Sequence, residues 1–202
     1  GLILSGCSRP ATRYSAQFLN LFDTLTQIIA YMDSKEEFSG YATLIHDEME
    51  AYHQLYDIYN DYPGISNLKT INDNAGIRPV KVDRKIIDLL LFARQAYEET
   101  DGQVNVALGP VLEIWHRYRE EGIQDPEHAS LPPLEMLRKA AEHTDIRKMI
   151  IDEEASTVFL EEPEMRLDVG AIAKGYAVER VARTAMDAGF TSGLISGGGN
   201  VR

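Results

Sequence analysis

Asp168–Glu179 reads DVGAIAKGYAVE, and it places a lysine on what the spacing makes the buried side of a helix. From Ala171 onward, Val178, Val181, Ala182 and Ala185 continue one apolar stripe, while Glu179, Arg180, Arg183 and Asp187 lie opposite. Lys174 falls on the stripe, near a helix start where backbone N–H groups are unpaired and the dipole is positive. An unpaired buried ammonium is costly, so the side chain needs an anion, reaches water along the stripe, or pairs with Asp168. A bound phosphate suits the position. Gly170 and Gly175 flank the lysine and leave room for close approach. A second glycine cluster, Gly197–Gly199, follows the apolar Leu194 and Ile195 and leads into Asn200. Amides of such a loop can face a phosphate or a ring.

The rest of the chain sets bounds on this reading. At 202 residues and 44% hydrophobic content it can bury a sizeable core. A formal charge of -12 argues against a broad polyanion surface, so nucleic acid is not an expected partner, whereas a local site for a small anion is compatible with it. The single cysteine, Cys7, excludes an internal disulfide and a multi-cysteine metal site. Leu4-Ser5-Gly6-Cys7 fits a bacterial lipobox at the end of a signal peptide, with Ser8–Arg13 as a tether. Residues 1–13 are therefore expected to be leader and tether, and 14–202 the folded domain. Gly1 and Arg202 both read as cuts in a longer chain.

Gln17–Met32 reads as one or two strands. A long helix follows from about Lys35 to Tyr59, with Phe38, Ala42, Ile45, Met49, Tyr52, Tyr56 and Tyr59 as its core stripe. His46 and His53 on it are expected to be solvated and not metal ligands, for want of a third ligand. Ile65–Val82 reads as an irregular polar loop. Asp83 caps a helix that ends at Asp101-Gly102. Val104–Val106 is short and apolar, and Pro110 opens a helix to about Glu121. Leu134–His143 is another helix, Met149–Leu160 a hairpin, and Met165–Leu167 a strand delivering Asp168. Grouped strands with helices between them, without βαβ alternation, predict an α+β fold.

These segments together resemble the ApbE family of bacterial flavin transferases. The resemblance rests on Phe22-Asp23-Thr24, Ser66–Asn72, Gly102–Asn105 leading into Gly109-Pro110 and Trp115, DVGAIAKGYAVE, and the closing GGGN. It implies a T-fold-like α+β domain that is C-terminally truncated, bound FAD, a Mg²⁺ ion, and transfer of FMN to a threonine or serine hydroxyl of a target protein with release of AMP. By position, the resemblance implies that Phe22, Arg78, Gln103, Val104, Asn105, Asp168 and Lys174 contact FAD and that Ala171 offers its carbonyl to the metal. Phe22-Asp23 stands where many relatives read Met-Gly, and Asn105 where many have aspartate. The family's acidic and threonine metal motif and a histidine are not among these 202 residues, so weak Mg²⁺ binding and weak transfer are expected of the chain by itself. The implied acceptor belongs to a membrane or extracytoplasmic redox system, and the implied location is the outer face of the bacterial cell membrane, anchored through a lipid on Cys7. FAD hydrolysis to FMN and AMP, and flavin binding without turnover by a surface lipoprotein, are the alternatives.

Overall fold

The computed structural model describes residues 11–202, so Cys7 and the lipobox lie outside the described residues. Helices and antiparallel sheets are mixed as an α+β chain requires. Two compact units emerge: the described residues up to His53 together with Lys174–Arg202, and Gln54–Ala173.

In the first unit, β1 (Thr12–Leu21) and β2 (Thr24–Met32) form a hairpin, and β6 (Gly193–Gly197) and β7 (Asn200–Val201) complete a sheet of order β1-β2-β6-β7. Alternation decides the faces: Tyr14 pairs with Ala30 and Ile28 with Ile195, and this side is buried at Ile28, Ala30 and Ile195. Helix α1 (Lys35–Tyr56) covers it through Phe38, whose ring stacks on Tyr14 at 5.5 Å between centroids. Helix α6 (Ala173–Asp187) buries Val178, Val181, Ala182 and Ala185, as its stripe predicts. Ala171 is off that stripe, exposed in the turn before the helix.

Thr26 sits on the buried face fully enclosed, and its Oγ1 has no hydrogen-bond partner among the described residues. A desolvated, unpaired hydroxyl opposes folding. Thr26→Val, which keeps the shape, is expected to raise stability by about 1 kcal/mol; a loss of stability in urea unfolding would contradict this.

The second unit carries the sheet β3-β5-β4, from Val80–Lys81 (β3), Met149–Asp152 (β4) and Thr157–Leu160 (β5). Its core includes Ile86, Ile87, Leu89 and Leu90 of α3 (Arg84–Glu99), capped by Asp83 as expected. Helices α4 (Gly109–Gln124) and α5 (Leu134–Ala141) complete it.

Three sequence expectations need correcting. Helix α1 stops at Tyr56 and not Tyr59, because the Asp57 carboxylate accepts the N–H groups of Tyr59 and Asn60 and the hydroxyl of Tyr62, an aspartate-led turn that competes with the helix. Burial pushes the Asp57 carboxyl up, but these hydrogen bonds outweigh it and hold the group below its ordinary value. Ile65–Val82 is not all loop: it contains α2 (Leu68–Asp73) and β3, and α2 opens on a capping box between the buried Asn67 and Thr70. Met165–Leu167 is not a strand. Its partner is a side chain: Asn72 Oδ1 accepts the Leu167 N–H at 2.7 Å and Asn72 Nδ2 donates to the Leu167 carbonyl at 3.0 Å.

Candidate functional site

The first unit brings the lysine and the glycine cluster together. Strand β6 carries Gly197 into register with Thr26 of β2, and Gly198-Gly199 turn the chain so that Gly197 faces Asn200. Both turn residues have positive φ, 54° and 97°, as a two-residue hairpin demands. A Cβ on Gly198 would lie 2.4 Å from Thr24 Oγ1 and 3.0 Å from Lys174 Nζ, so the turn sits directly against the lysine head. At the next residue of the helix, Asn200 Oδ1 lies 3.2 Å from where a Cβ on Gly175 would be. The two glycine motifs are therefore two sides of one small site at the start of α6.

Lys174 is half-buried there and has no hydrogen-bond or ion-pair partner among the described residues. An ammonium in the first turn of a helix, beside two turn glycines and with no carboxylate on it, is poised for an anion. Gly198→Ala should strain the left-handed backbone and collide with Thr24, a cost of about 1–3 kcal/mol. Thermal unfolding checks this, and an unchanged midpoint would mean the turn relaxes freely.

Phe22 stands at the same end of this sheet, because Gly198 N–H donates to the Leu25 carbonyl only a few residues beyond it. Phe22 and Asp23 form the β1–β2 turn with φ of 52° at both positions. Aspartate visits that region more readily than most residues, whereas phenylalanine does not, so Phe22 carries the larger strain, roughly 1–2 kcal/mol.

In the second unit, Asp168 is set by backbone ties. Its N–H donates to the Val106 carbonyl at 2.8 Å, and its Oδ1 accepts the Gly170 N–H at 2.9 Å. Asn72, by holding Leu167, fixes the residue before it. This brings the Asn105–Val106 segment beside Asp168. Asn105 itself is already committed: it caps the 3₁₀ turn Val106–Leu108 through Ala107 N–H and donates to the Thr144 carbonyl. An aspartate could not make the second bond. Val104 N–H donates to Thr100 Oγ1, Gln103 is exposed, and Arg78 is exposed with its N–H directed at the Asn74 carbonyl.

Asp168 lines a cavity of about 360 Å³ with Ile58, Tyr59, Asn72, Gly109 and His116. Sequence reasoning did not find Tyr59 and His116 as a pair: the Tyr59 hydroxyl lies 3.0 Å from His116 Nδ1. Tyr59 is 64% exposed, not core, and burial first and the Asp168 charge second push its phenol up. The cavity's cations are largely spoken for. Lys69 pairs with Asp73 at 2.5 Å and Asp61 at 3.2 Å, and Arg166 donates to the carbonyls of Pro163 and Met165. Arg117, also in the lining, contacts Met136 Sδ and lies over the Tyr118 ring.

For the metal that the resemblance implies, Ala171 would offer a single backbone carbonyl. A Mg²⁺ ion takes six oxygens. Among the described residues, the three-residue His, Asp or Glu group close enough to hold an ion is His46-Asp47-Glu50 on α1, which does not include Ala171. The described residues therefore do not complete a magnesium site at Ala171.

The fold and site define an α+β domain with an open, lysine-bearing helix start beside a glycine hairpin. The ApbE family model matches residues 22–202, and the chain belongs to that family. It is 35% identical over 162 residues to the FAD:protein FMN transferase of Klebsiella pneumoniae (strain 342), covering 77% of this chain and 49% of that protein. Identity to the Treponema pallidum (strain Nichols) FAD:protein FMN transferase is 32% over 141 residues, 67% of this chain and 37% of that one. The ApbE protein structure from Thermotoga maritima superposes with a TM-score of 0.77 at 25% identity, covering 95% of this chain and 58% of its own. The chain spans about half the length, or less, of these relatives' sequences.

Proposed function

We propose that this chain is the FAD-binding portion of a flavin transferase that moves FMN from FAD to a serine or threonine hydroxyl of another protein. The observation that carries the reading is Lys174, unpartnered among the described residues and set against the Gly198 turn at the start of α6. The match to proteins named FAD:protein FMN transferase supports the choice of ligand.

In the reaction, the acceptor oxygen attacks the FMN-side phosphorus, the P–O bond to the AMP phosphate breaks, AMP leaves, and the hydroxyl gives up its proton. Such chemistry depends on holding the groups in line and neutralising charge more than on covalent help from the protein. Lys174 would neutralise pyrophosphate charge, Phe22 would contact the flavin, and Asp168, fixed by Val106 and Gly170, would bind FAD in its cavity. Arg78, Gln103, Val104 and Asn105 belong to the same proposal, with Asn105 acting through the backbone turn it caps. A Mg²⁺ ion would stabilise the leaving phosphate. Ala171 alone does not hold it, so no step of this scheme passes through the ion.

The acceptor, in this reading, is a membrane or extracytoplasmic redox protein, and the enzyme is held at the outer face of the bacterial membrane by lipid on Cys7. Incubation with FAD and a threonine-containing acceptor peptide, followed by peptide mass and AMP analysis, tests the reading. FAD binding with a flavinylated peptide supports it. AMP and FMN without labelled peptide would favour hydrolysis, and absence of FAD binding would remove both.

A further inference from the structure

The Phe22-Asp23 turn raises a physical question that its pairing partners do not answer. Phe22, a residue ill-suited to positive φ, shares a tight hairpin turn with Asp23, which adopts that region more readily, and the Phe22 N–H points away from the ladder formed by Leu21 and Thr24. That N–H is met from another element. His53, in the last turn of α1, accepts it at Nδ1 over 3.1 Å. The same imidazole meets the Phe22 ring edge-on, with centroids 5.5 Å apart and planes at 74°. One side chain thus grips both backbone and ring of Phe22.

We infer that His53 is a positioning residue, which holds Phe22 in its strained turn so that the aromatic ring is presented at the flavin side of the site. The inference rests on the flavin reading proposed above. It goes beyond it by assigning a role to a histidine that holds Phe22 through both backbone and ring. Because Nδ1 accepts, the ring is in the tautomer that carries its proton on Nε2. Asparagine places a carbonyl oxygen close to where Nδ1 lies, whereas glutamine reaches past it. A purely space-filling histidine would treat those two replacements alike.

The test uses the whole chain in three forms: unsubstituted, His53→Gln and His53→Asn. Two quantities are read, namely FAD affinity by quenching of flavin fluorescence and hydrogen exchange at the Phe22 amide. His53→Gln is expected to weaken FAD binding about five- to tenfold, the value of one ordinary hydrogen bond, and to speed Phe22 exchange. His53→Asn is expected to restore both, and a melting curve confirms that each variant is folded. Unchanged Phe22 exchange in His53→Gln would overturn the grip itself. Faster exchange with unchanged FAD affinity would overturn the positioning role. Protected Phe22 exchange in an unsubstituted chain that binds no FAD would leave the grip standing and overturn the flavin reading on which the role depends.

Discussion

Replacing Asn72 by leucine is expected to destabilise the second unit by about 2–6 kcal/mol, a larger loss of stability than the Gly198 substitution should cause. The side chain is 7% exposed and makes both bonds that a neighbouring strand would otherwise supply to Leu167. Leucine matches it in size but offers neither donor nor acceptor. The Leu167 N–H and C=O would be left buried and unpaired, each at about 1–3 kcal/mol. For a chain of this size, 1 kcal/mol moves the melting temperature by roughly 2–4 °C, so a fall near 10 °C is expected. Asn72→Asp should not rescue it, because the acceptor survives while the donor is lost and a charge is buried. Thermal melts of the two variants check this, and a midpoint within about a degree of the unsubstituted chain would show that Leu167 finds other partners. Asp168 should be displaced as well, since its place follows directly from Leu167.

Lys174→Ala is expected to weaken FAD binding about ten- to a hundredfold while leaving the melting temperature nearly unchanged. The two halves of that expectation have separate causes. A lysine–phosphate contact is a charge-assisted bond worth roughly 1.5–3 kcal/mol, hence the loss of affinity. In the free protein the ammonium has no partner among the described residues, so alanine removes no interaction that stabilises the fold. A lysine serving a structural pair would give the reverse pattern, with lower stability and intact binding. Fluorescence titration and a thermal melt on the same sample separate these outcomes, and an unchanged FAD affinity would remove Lys174 from the site.

How much of the fold and site was legible in the sequence depended on whether the controlling contact was local. Helices α1 and α3 announced themselves because their buried residues repeat every three or four positions over several turns. Helix α2 did not, because six residues make under two turns and show no period, although the Asn67-to-Thr70 cap was present as a signal. Met165–Leu167 looked like a strand and is held like one, but by a side chain 95 positions away. No periodicity encodes such a partner. The site divides in the same way. Lys174-Gly175 and Gly197–Asn200 could each be picked out as motifs, while their meeting required the β6–β7 hairpin. Tyr59 fitted the α1 stripe numerically and was assigned to the core, because the Asp57 turn that removes it from the helix is a competition between hydrogen bonds, not a pattern of hydrophobicity.

In the first sheet, strand β2 has Ile28 set opposite Ile195 of β6, so one long edge of the early hairpin gains its partner only when nearly the whole of this chain has been synthesised. At ~5–20 residues per second, that edge waits about ten to thirty seconds. Through that interval the β1–β2 ribbon offers an open row of N–H and C=O groups to any other nascent strand. That exposure of the β2 edge ends when Gly193–Gly197 pairs with it, while β1 stays the outer edge of the finished sheet.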